Sequence, residues 1–277
     1  MPDSEPNHDA YTPREIARRV HSIGVVKATM PALPMLLLAI LAGAFIAFGA
    51  MFFTLVVTDS VLGFGITRLL GGLAFSTGLV LVIVGGAELF TGNNLIAMAW
   101  ASGEVTTGRL LRSWALVYAG NLIGSLGSAV FVWLSGTLHL ADGSIAATAV
   151  SIASAKVALP FGEAFVRGIL CNALVCLAVW MCFAARSVAD RILAIVFPIS
   201  AFVALGFEHS VANMYLIPVG MLAARDLGID NEALDLAGFL GNLVPVTLGN
   251  LLGGSILVAL VYWLIYVRAQ GRGMGHG

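Results

Sequence analysis

Long apolar runs alternate along the chain with short polar joints. The runs fall at about 31 to 57, 69 to 101, 113 to 138, 165 to 184, 192 to 224 and 243 to 267. About 20 such residues make a helix that crosses the hydrocarbon core of a bilayer, so the pattern predicts six transmembrane helices. Two runs are too long for that role. Residues 69 to 101 and 192 to 224, if unbroken, would each extend about 50 Å against a core of about 30 Å. Tilt does not absorb such an excess. Gly85, Gly86 and Gly92 in the first run, and Pro198 and Pro218 in the second, supply break points. Both helices are therefore predicted to be interrupted near the midplane, close to Thr91 and His209. Irregular backbone at that depth is tolerated only where it is buried in protein or lines a cavity.

The second long run carries "GFEHSVAN" at 206 to 213, with Glu208 and His209 in otherwise apolar surroundings. A charge at membrane depth is expensive and marks a functional site by default. The first long run carries a relative of this motif, "GAELFTGN" at 86 to 93, in which Gly86, Glu88 and Asn93 are spaced as Gly206, Glu208 and Asn213. The correspondence continues on both sides. Lys27 precedes Pro31 as Lys156 precedes Pro160, and "GNLIG" at 120 to 124 matches "GNLLG" at 249 to 253. The chain thus contains a repeat, from about 27 to 138 and again from about 156 to 268. Each copy has three predicted spans, an odd number, so the second copy enters the membrane inverted, a pattern typical of transport proteins with a path between the halves.

The repeat also arranges charge. Lys27 with Glu88, and Lys156 with Glu208, are expected to form two ion pairs that anchor the broken helices, because an unpaired buried charge costs several kcal/mol. A lysine at a pore mouth also attracts anions. Where the copies differ, His209 stands opposite Leu89 and Thr91 opposite Val211. Such mismatches are where two halves of one architecture need different chemistry. His209 is the histidine that lies inside a span, whereas His8, His21, His139 and His276 lie in polar or terminal stretches.

Composition agrees with a membrane protein: 59% of the residues are hydrophobic and 10% charged, against about 25% charged in a soluble domain. Residues 1 to 26 read as a polar cytoplasmic segment without secretory-signal character, and 269 to 277 as a cytoplasmic tail. Arg14, Arg18, Arg19, Lys27, Arg109, Arg112, Arg186, Arg191, Arg268 and Arg272 fall on one side of the predicted spans. Only Arg68, Lys156, Arg167 and Arg225 fall on the other, which puts both termini in the cytoplasm. No basic patch suits nucleic acid. Cys171, Cys176 and Cys182 read as buried free thiols rather than metal ligands, and no cofactor is expected. A membrane-embedded enzyme or respiratory subunit using Glu208 and His209 as acid and base is the rival class. The spans offer it no second histidine and no phosphate-binding loop.

The stretches "GGAELFTGN", "GNLIGS", "GILCNALVCLAVWM", "GFEHSVANM" and "NLVPVTLGN" resemble the signatures of the formate/nitrite transporter family. "HSVANMYLIP" with "NLVPV" leans toward its formate channels, and "TGNN" toward its nitrite branch. The resemblance implies an all-α, aquaporin-like fold and a homopentamer in the bacterial inner membrane, with a pore in every protomer. It places His209 at the pore centre, Thr91 in the interrupting loop, and Asn172 and Asn250 nearby as polar contacts. Phe75 and Phe202 become the outer constriction, and Leu79, Leu89 and Phe90 the inner one. The implied cargo is formate, with nitrite and hydrosulfide as alternatives. The expected mechanism is that the anion takes a proton near His209 and crosses as the neutral acid. Formate is about as acidic as an aspartate side chain, so this transfer from an imidazolium is uphill in water by about 3.5 kcal/mol. In an apolar chamber the separated ions cost several kcal/mol each and the neutral pair far less.

Overall fold

The structure, a computed structural model, describes residues 10–268. The expected C-terminal tail, with Arg272 and His276, lies outside the described residues, as does His8. Every regular element among the described residues is a helix. In chain order these are α1 (Pro13–Thr29), α2 (Ala32–Val57), α3 (Phe64–Gly85), α4 (Phe90–Asn93), α5 (Ala97–Ala101), α6 (Thr107–Leu134), α7 (Ser144–Val157), α8 (Phe161–Cys182), α9 (Val188–Ala204), α10 (Ser210–Asp226) and α11 (Leu236–Leu251). Wider π-type turns continue α11 to Arg268.

By length and composition α2, α3, α6, α8 and extended α11 can each cross a membrane. The run from 192 to 224 divides into α9 and α10, of 17 residues each, too short to be counted singly. The run from 69 to 101 divides into α3 and the short helices α4 and α5.

Packing is inverted relative to a soluble protein. On α2 the buried face is mostly small (Ala39, Ala42, Gly43, Ala47, Gly49, Ala50), while Leu33, Leu37, Leu41, Phe48 and Phe52 face outward. Lipid is as apolar as leucine, so membrane helices associate through close backbone approach rather than through burial of large side chains. The two Gly-Asn-x-x-Gly motifs provide that approach twice. A Cβ on Gly124 would lie 2.0 Å from the Ile40 carbonyl oxygen, and one on Gly253 2.2 Å from that of Ile169. These contacts bind α6 to α2 and α11 to α8, while α3 and α9 pack on each other between the halves.

The repeat reaches further upstream than its sequence motifs. Helices α1 and α7 occupy equivalent places, each carrying its lysine in its last turn shortly before the proline that opens a long helix. The N-terminal segment read as merely polar is thus a helix from Pro13, with Ile16, Ala17 and Val20 buried. Its start was written in the sequence: Thr12 and Glu15 form a capping box around Pro13 at the first helical position.

Candidate functional site

Both breaks use the same backbone construction. Gly86 and Gly206 turn the chain at φ 74° and φ 73°, where a side chain would be strained. The Ala87 N–H then returns to the Val82 carbonyl, and the Phe207 N–H to that of Phe202. Helix restarts after extended residues at Leu89 and His209. Such breaks leave buried backbone polar groups without intrahelical partners, which costs several kcal/mol each if they stay unpaired. Two asparagines resolve this. Asn121 donates to the Ala39 and Glu88 carbonyls and accepts from the Phe90 N–H. Asn250 donates to the Gly168 and Glu208 carbonyls and accepts from the Ser210 N–H. The glycine preceding each asparagine brings it within reach: a Cβ on Gly249 would lie 2.1 Å from the Phe165 carbonyl oxygen.

Charge is arranged with the same twofold logic. Lys27 Nζ stands 2.8 Å from Glu88 Oε1 and 3.0 Å from Asn93 Oδ1. Lys156 Nζ stands 2.8 and 3.0 Å from the two Glu208 oxygens. Each carboxylate also accepts from an asparagine five residues on, Asn93 or Asn213. Both pairs border cavities. One cavity, of about 570 Å³, is bounded by α1 and by Lys27, Glu88, Leu79 and Leu89. The other, of about 280 Å³, is bounded by α7 and by Lys156, Glu208, His209, Phe75 and Phe202.

The copies diverge at the restarted helices. Leu89 offers no side-chain cap to α4. His209 caps α10, accepting the Ala212 N–H on Nδ1 at 3.0 Å. That contact leaves the ring proton of a neutral imidazole on Nε2, which lies 2.9 Å from Thr91 Oγ1. Two residues 118 positions apart in the chain therefore meet across the breaks, with Thr91 fully buried and His209 nearly so. The Phe202 ring lies over the imidazole with centroids 5.9 Å apart, and Phe75 meets Phe202 edge-on at 5.6 Å.

The remaining expected site residues divide by position. Leu79 and Leu89 border the larger cavity. Phe90 is buried with its ring against Tyr118 at 4.9 Å and borders neither cavity. Asn172 and Asn250 are occupied internally: Asn172 donates to Asn94 Oδ1 and to the Asn250 carbonyl. Cys176, read as a small packing thiol, also donates to the Thr91 carbonyl at 3.2 Å. Asn121 and Asn94 escaped the sequence reading. The first was visible in the repeat as the counterpart of Asn250, whereas the Asn94–Asn172 contact had no signal in the sequence. Among the described residues, no group of three His, Cys, Asp or Glu side chains is placed to hold a metal ion.

A doubled set of packed helices, with paired lysine–glutamate contacts beside two cavities and a buried histidine under an aromatic ring, defines a membrane transport protein. Residues 14–264 match the model of the formate/nitrite transporter family, to which this chain belongs. It is 42% identical to the formate channel FocA of Escherichia coli K12, over 94% of this chain and 96% of that one. To the Haemophilus influenzae formate channel FocA it is 39% identical, over 91% and 93%. A solved structure described as a pentameric formate channel with formate bound matches at a TM-score of 0.78 and 41% identity, covering 86% of this chain and 98% of that one.

Proposed function

We propose that each protomer is a pore for formate, or a similarly small monovalent anion, which crosses the bacterial inner membrane as its neutral acid after taking a proton near His209. The observation that carries this reading is the buried His209–Thr91 contact, flanked by two cavities with a lysine at each. An anion enters from either cavity under the pull of the lysines. Beside His209 the surroundings are aromatic, and neutral species are favoured over separated ions there. Thr91, whose hydroxyl both donates and accepts, follows the solute through the change of protonation. The formate channels among the relatives support the choice of cargo, and the pentameric relative supports a homopentamer. Both termini are proposed to lie in the cytoplasm.

Flux into proteoliposomes at two pH values tests the mechanism. The wild type carries formate faster at the more acidic pH, and His209→Asn loses that dependence. Unchanged pH dependence in the variant would remove the proton role. Competition by nitrite, hydrosulfide, acetate and lactate ranks the cargoes, and conversion of the solute during passage would favour an enzyme instead.

A further inference from the structure

The smaller cavity holds a cation that the mechanism above leaves unused. Arg68, near the start of α3, borders it together with Lys156, Arg167, Glu208 and His209. Its Nη2 donates to the Val203 carbonyl at 2.6 Å and its Nε to the Ala204 carbonyl at 3.1 Å. These carbonyls end α9, and the C-terminal end of a helix carries about half a negative charge. Left bare beside the cavity, that end would repel an incoming anion. Gly206 makes room for the arrangement, since a Cβ there would already lie 3.3 Å from Arg68 Nη2.

The other cations of this cavity each have a carboxylate partner. Lys156 is paired with Glu208, and Arg167 with Glu163. Arg68 pairs with no carboxylate among the described residues, and its Nη1 has no hydrogen bond there. In the larger cavity, among the described residues, no arginine hydrogen-bonds the corresponding end of α3: Arg19 lies over the Tyr11 ring, and Arg191 borders the cavity without a hydrogen bond to those carbonyls. Among the described residues, the broken-helix end that an arginine holds is thus the one on the side of His209.

We infer that Arg68 is an anion-docking residue of the smaller cavity, which offsets the carbonyl end of α9 and offers Nη1 to a small monovalent anion before it meets His209. This rests on the transport reading. A guanidinium held by two carbonyls is fixed in direction, so the docked anion meets an oriented donor rather than a diffuse charge.

The test is formate entry from the smaller-cavity side of proteoliposomes at low and high salt. Arg68→Gln is expected to raise the apparent KM about five- to tenfold at low salt, and the difference from wild type closes as salt screens the charge. Arg68→Lys restores only part of the wild-type affinity, because a point charge supplies the attraction without the oriented donor. Arg68→Cys provides a test on already assembled protein, since Cys171, Cys176 and Cys182 are buried. A trimethylammonium methanethiosulfonate lowers its KM and a sulfonate reagent raises it. Equal KM values for wild type and Arg68→Gln at both salt concentrations, or equal effects of the two reagents, would overturn the inference. A wild type that carries no formate would overturn the transport reading and this one with it.

Discussion

Asn121 and Asn250 show how one side chain can hold a membrane break together. Each satisfies three backbone groups with near-ideal distances, from 2.8 to 3.0 Å. Asn250→Leu is expected to lower stability by about 3 kcal/mol or more, because it leaves three buried backbone groups without their partners. Asn121→Leu should do the same, and thermal unfolding of the purified protein in detergent measures both. Thr91→Val asks a narrower question. It keeps the volume and removes the oxygen facing His209 Nε2, so folding should survive while formate flux falls. His209 itself was legible in the sequence through the expense of its surroundings. The identity of its partners was not: the ring's orientation depends on Ala212 and Thr91, and only the fold sets both contacts.

Among the elements, the helix pairs α2–α6 and α8–α11 depend on glycines that have no room to change. Gly124→Ala and Gly253→Ala place a methyl about 2 Å from a carbonyl oxygen, so both should abolish assembly, read as loss of a discrete oligomer on size exclusion. Gly127→Ala is the contrasting case. Nothing lies within 4 Å of its Cβ position, and Ala exceeds Gly in helix preference by about 0.8–1.0 kcal/mol, so it should stabilise slightly. At α1 the sign of a pH effect follows from the cap. Glu15 is held below the usual carboxylate range by hydrogen bonds from Thr12. A depressed carboxylate contributes its stabilisation above the unfolded value and loses it as pH falls through the folded one. Protection of the first-turn amides of α1 against exchange, relative to their intrinsic rates, should therefore fall in acid, and Thr12→Ala should remove that dependence. The two breaks could be foreseen from run length alone, since no helix so long fits the bilayer. Helix α1 was hidden because charged residues crowd its short apolar stripe, and α7 because it is built largely of Ala and Ser, in which periodicity is weak.

For the whole molecule, the repeat and its inverted reading make a topological prediction. A cysteine at Ser60 and one at Ser187, each in a joint beside a different half-helix, should react with an impermeant reagent from opposite faces of the membrane. Reaction from the same face would refute the six-pass arrangement. Motif spacing disclosed the architecture because glycine, asparagine and glutamate are each needed for a fixed backbone task. The cavities' sizes were not disclosed, since they depend on how far α1 and α7 stand from the breaks. Those sizes are unequal, about 570 and 280 Å³, and the inequality invites a mistaken conclusion. Lopsided antechambers let occupancy and waiting time differ with direction, yet detailed balance forbids shape alone from performing work. If the species that crosses is the uncharged acid, net movement halts when the product of formate and proton activity is the same on both faces. The sense of flow is then dictated by whichever compartment makes the acid and whichever consumes it.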